Sequence, residues 1–134
     1  MIMTKEALIS SKSQYSYWLR QQQEIDSSKG FICVDIDYVW FNYKSGLFLF
    51  KEEKQYNAQP DFYQIDLFKM IHASHKDNLN YRGFHIITFQ NTNPDDGKIF
   101  WDGYEITKEK LLEILTFKAD KIWYETLSKI NGYD

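Results

Sequence analysis

The sequence predicts an α/β domain in which a mixed sheet is flanked by helices, with an added C-terminal hairpin and helices. Three observations carry this. Helical and strand-like segments alternate along the chain instead of segregating. The strands of "DIDYVWFNYKSGLFLFKEEK" (35–54) are apolar on both faces, which asks for cover on both faces. The chain has 134 residues, of which 43% are hydrophobic and 18% aromatic, enough for one core.

The elements follow in order. Thr4 is a plausible N-cap for a first helix running to about Gln23, with Leu8, Tyr15, Trp18 and Leu19 as its apolar stripe. "DSSKG" (26–30) is a loop. Strands follow over roughly 31–42 and 47–54. Pro60 suits the first turn of a second helix, whose broad face of Phe62, Ile65, Leu67, Phe68, Ile71 and His72 extends to about His75. "SHKDNLNYRG" is a polar connection, and "FHIITFQ" (84–90) a short apolar strand. Asp102-Gly103 is a two-residue turn signal that makes 98–106 a small hairpin. Thr107 caps a further helix, and a last helix covers about 119–130, with Gly132 as its stop.

Composition narrows the function classes. The formal net charge is −3 and the pI about 5.6, which argues mildly against a dedicated nucleic-acid binder. No apolar run approaches the ~20 residues of a membrane helix. The start "MIMTKEALISSKSQ" lacks the basic and apolar regions of a signal peptide, and Cys33 is the only cysteine, so a cytoplasmic setting is expected.

The hairpin carries charge at one end: Asp35 and Asp37 begin its first strand, and Glu52, Glu53 and Lys54 end its second. Side chains alternate between faces, and opposed residues of an antiparallel pair share a face. Turn length therefore decides which acids meet. A two- or four-residue loop around Lys44-Ser45-Gly46 places Asp37 on the face of Glu52 and Lys54, and the four-residue loop sets Asp37 opposite Glu52. A three-residue loop sets Asp37 beside Glu53 instead. In the even case two carboxylates abut with a lysine one step on. Oxygen ligands of that kind suit Mg²⁺, which can polarise a phosphoryl oxygen and acidify a water.

Asp37, fourteen residues, then Glu52-Glu53-Lys54 resembles the D…(D/E)-x-K signature of the PD-(D/E)XK nuclease superfamily. That group has the restriction-endonuclease-like fold and includes Holliday-junction resolvases and many small phage nucleases. The resemblance covers roughly residues 4–90. It implies a core of helix, three-strand meander, helix and strand, with the metal acids on the second and third strands. It further implies that Asp37 and Glu52 bind Mg²⁺ (or Mn²⁺), that the Glu53 backbone carbonyl completes the protein ligands, and that Lys54 serves the attacking water. Accessory candidates are Asp35, a first-helix glutamate (Glu24 or Glu6), and Gln64 on the following helix. Ile36 stands where the family name has proline, the first meander strand is short or absent, and residues 91–134 match no part of the core. The implied activity is hydrolysis of DNA phosphodiesters, structure-selective because so small a domain has little surface for reading sequence. A homodimer is one option for such cutting, and a host cytoplasm is expected if the chain is phage-encoded. The alternative is an inactive module of the same fold that binds protein or nucleic acid, for example a phage-encoded regulator.

Blander readings stand beside these. Asp37, Glu52 and Lys54 could be a solvated strand end with an ordinary ion pair, worth ~0–1 kcal/mol. His72 and His75 have metal-ligand spacing and, with Cys33 or His85, zinc chemistry, but helix-surface histidines are the simpler expectation. Tyr15, Tyr17 and Trp18 could stack on bases, yet at helical spacing they read first as core. Asp95 and Asp96 are explained by a turn.

Overall fold

The computed structural model describes residues 13–125. The chain divides into two compact units, the first ending at Cys33 and the second beginning at Val34. In the first unit, helix α1 (Gln14–Leu19) is capped by Ser13, whose side chain accepts from the Ser16 N–H. The expected helix over 4–23 is therefore shorter at its C-terminal end, and Thr4 and Leu8 lie outside the described residues. None of the α1 residues is buried, and Tyr15 stacks on Trp18 with both rings exposed, so they form no core. Two 3-10 turns, Gln23–Ile25 and Ser27–Lys29, follow.

The second unit is a five-stranded mixed sheet. Its strands are β1 (Tyr38–Phe41), β2 (Phe48–Lys54), β3 (Tyr81–Phe89), β4 (Ile99–Trp101) and β5 (Tyr104–Ile106), in that spatial order. Only the β2–β3 pair is parallel. A parallel pair needs a crossover, and helix α2 (Phe62–His75) supplies it. The N-cap of α2 is Asp61, so Pro60 stands just before the cap and not in the first turn. Asp61 and Gln64 form a reciprocal capping box that satisfies two orphan N–H groups.

Both faces of the sheet carry a core over β2 and β3, while all four residues of β1 stay exposed, against the expectation of cover on both its faces. On one face Phe68 of α2 stacks on Phe84, which stacks on Phe50, with Ile86, Ile65 and Ile71 around them. On the other, Leu49, Ile87, Phe89, Ile99 and Trp101 pack with Leu111 and Ile114 of α3 (Lys108–Leu115) and Tyr124 of α4 (Ile122–Glu125). The last helix, expected from about 119, begins at Ile122, and its expected part beyond Glu125 lies outside the described residues. His72 and His75 are half-buried, not on the helix surface. His72 meets the Tyr81 hydroxyl at 2.8 Å, and His75 packs edge-on to Phe50.

Strand β3 starts three residues earlier than expected, because the sequence-level break at Gly83 is absorbed inside it. Gly83 has φ +96°, and a Cβ there would sit 2.3 Å from the Tyr124 carbonyl oxygen. Glycine is thus required both by conformation and by close approach.

Candidate active site

Everything at the acidic end follows from the turn. Tyr38 pairs with Lys51 and Phe41 with Phe48, and the Asn42 N–H donates to the Leu47 carbonyl at 2.9 Å. The loop is therefore Tyr43–Gly46, four residues. The Asn42 carboxamide braces it by accepting from the Lys44 and Ser45 N–H groups. Extending the register by one residue sets Asp37 opposite Glu52.

Asp37 lies just before β1, and its carboxylate accepts the Glu53 N–H at 2.9 Å. A side chain thus takes the place of a ladder partner where the backbone leaves the sheet. Glu52 lies beneath, only 2% exposed, and its Oε2 is buried with no hydrogen-bond partner among the described residues. Its pKa is pushed up to about 8. Burial is the main cause, followed by the adjoining Asp37 carboxyl as hydrogen-bond partner and as like charge. Asp35 adds to the rise, and Lys54 opposes it. Two abutting carboxylates cannot both ionise cheaply, so without a cation Glu52 keeps its proton.

Lys54, half-buried, donates to the Gln64 carboxamide oxygen at 3.0 Å. The same oxygen accepts the Asp61 N–H at 3.1 Å. The α2 capping box thereby holds the lysine in place. Glu53 turns its side chain to the opposite face, where it accepts from the Tyr38 hydroxyl and from Gln55. It offers the site at most its backbone carbonyl.

No known family, no curated protein and no solved structure matches this chain.

The fold brings together Asp37, Glu52, Lys54 and Gln64, with Asp35 close enough to act on Glu52. Glu24 lies in the N-terminal unit, within the turn Gln23–Ile25, and Glu6 lies outside the described residues. Among the described residues no three His, Cys, Asp or Glu side chains are placed to hold a metal together. The donor set is two carboxylates and one main-chain carbonyl. Those are hard oxygen donors, and the buried, unpartnered Oε2 of Glu52 fits a small divalent cation.

The zinc reading weighed beside helix-surface histidines finds no ligand group among the described residues. His85 is instead fully buried against Asp102, with Nδ1 at 2.6 Å from Oδ2, while Nε2 faces the Arg82 carbonyl at 2.7 Å. Asp102 also accepts the Ile86 N–H at 2.8 Å. The residue expected only as a turn former thus also pins β3 to the β4–β5 hairpin. Sequence reasoning missed this pair, and it also missed a cavity beside Lys54. No local spacing signals either one.

Proposed function

We propose that this chain is a metal-dependent nuclease that hydrolyses DNA phosphodiesters. The observation that carries the reading is the convergence of Asp37, Glu52 and Lys54 on one sheet face, with one Glu52 oxygen buried and unpaired. A strand-end ion pair does not account for this, because Lys54 is bound to Gln64 and Glu52 is sealed from water. The site also lies at the C-terminal ends of the parallel strands β2 and β3, where open α/β sheets place ligands.

Asp37, Glu52 and the Glu53 carbonyl would hold Mg²⁺ or Mn²⁺. When bound, such an ion supplies Lewis acidity and a more acidic water. The protein's own work is positional. The Glu53 N–H fixes Asp37, the Gln64 oxygen fixes Lys54, and the ammonium stabilises negative charge developing on the phosphate. Occupation by a cation would also displace the Glu52 proton.

The test is incubation with Mg²⁺ or Mn²⁺ and linear, nicked and four-way-junction DNAs, beside Asp37→Ala and Lys54→Ala. Cutting by the parent chain is expected, with losses of at least about 100-fold in each variant. Cutting that survives both substitutions would sink the assignment. Absence of cutting, with no metal-induced thermal shift, would favour a binding module of the same fold.

A further inference from the structure

Rows of side chains run across the sheet beside the site. Glu52 pairs with Ile86, Lys54 with Thr88, and Thr88 in turn with Phe100. Paired residues share a face, so Lys54, Thr88 and Phe100 form one line on the face that α2 covers only in part. Past Lys54 that line enters a cavity of about 200 Å³, lined by Asn57, Gln59, Ile86, Thr88, Phe100 and Gly103. Two of its walls, Ile86 and Thr88, are the register partners of Glu52 and Lys54.

The cavity has a definite chemistry. No charged side chain lines it, so it is no place for a phosphate. Whole small-molecule sites run to about 300–1,000 Å³, and this one is smaller, the size for a single ring system. Phe100 offers an aromatic face. The Asn57 and Gln59 carboxamides each offer a donor and an acceptor, and Thr88 adds a hydroxyl.

The wall carrying Asn57 is held under strain. Tyr56 and Asn57 both adopt left-handed conformations, with φ +55° and +57°. Non-glycine residues there cost of order 1 kcal/mol or more each and persist only where the surroundings impose them. Here three main-chain hydrogen bonds do so. Tyr56 N–H donates to Asn91, Asn57 N–H to Phe89 and Ala58 N–H to Gln55, at 3.0, 3.0 and 3.1 Å.

The geometry points to a subsite for one unstacked nucleobase, in the cavity next to Glu52 and Lys54, with Phe100 as stacking face and Asn57 and Gln59 reading the base edge. The inference rests on the phosphodiester reading of the acidic site and names its substrate class: a strand with an unpaired nucleotide beside the bond to be cut. A paired base within a duplex cannot enter such a cavity, so unpaired positions are selected.

The test uses the full chain, Ca²⁺ in place of Mg²⁺, and short single-stranded oligodeoxynucleotides with 2-aminopurine or an abasic residue at successive positions. One position is expected to change fluorescence on binding, and an abasic residue there to weaken binding about 10-fold. Phe100→Ala and Asn57→Ala are expected to weaken binding comparably and to abolish the preference for an intact base, while Phe100→Trp retains it. Equal affinity for intact and abasic strands, unchanged binding in Phe100→Ala, or no binding of any strand overturns the subsite. Cutting in Mg²⁺ is scored separately. Asp37-dependent cutting without base-dependent binding keeps the nuclease reading and sinks the subsite, and base-dependent binding without cutting does the reverse.

Discussion

Glu52 holds its proton more tightly in the folded chain than in the unfolded one, with a pKa near 8 against an ordinary value of 4.5. A raised acid makes the native state the better proton binder, so stability falls as pH rises between those two values. The slope reaches about 1.4 kcal/mol per pH unit while only the native state is protonated. Glu52→Gln, neutral and of the same shape, is expected to flatten this dependence and to be the more stable chain at pH 9. Urea titrations at pH 6 and pH 9 measure it, and parallel slopes for the two proteins would refute it. At this scale strand parity made the Asp37, Glu52 and Lys54 set readable from the sequence, but their depths were not. Glu52 is sealed within the β2–β3 ladder, where it pairs with Ile86, while Asp37 lies exposed just before the outer strand β1, and the β2–β3 pairing is distant in sequence. Asp102 shows the same limit. Its turn role is local and legible, while its partner His85 lies 17 residues away.

Helix α2 ties element to site. Its cap residue Asp61 orders Gln64, and Gln64 holds Lys54. Asp61→Ala is expected to cost about 1 kcal/mol of stability, the usual worth of an N-cap. It should also lower cutting more than that loss explains, because the lysine is released. Denaturant melts compared with single-turnover rates separate the two effects, and rates that simply track stability would argue against the tether. The elements were legible where period and punctuation agree, as in α2 and the β4–β5 turn. Strand β1 was over-read at its start. Residues 31–37 carry strand-like apolar residues, but β1 begins only at Tyr38, and just before it the Asp37 side chain takes the Glu53 N–H that a backbone carbonyl would need.

At the scale of the whole sheet, β1 and β5 are the outer strands among the described residues. Among the described residues β1 pairs with β2 alone, and Val39 and Phe41 are 60% and 57% exposed. An apolar edge without lysine or proline invites a second strand. Self-association that rises with concentration in sedimentation is expected, and Val39→Lys is expected to weaken it. A parent chain that stays monomeric throughout would rule the edge out as an interface. The parallel β2–β3 pairing has a kinetic consequence as well. The β1–β2 hairpin is local and can form early with Glu52 hydrated and ionised. The β2–β3 ladder must wait for a crossover of some 26 residues to close, a slower non-local event. Burial is the first cause of the raised Glu52 pKa, so folding at neutral pH is expected to take up a proton as β3 comes to cover that strand.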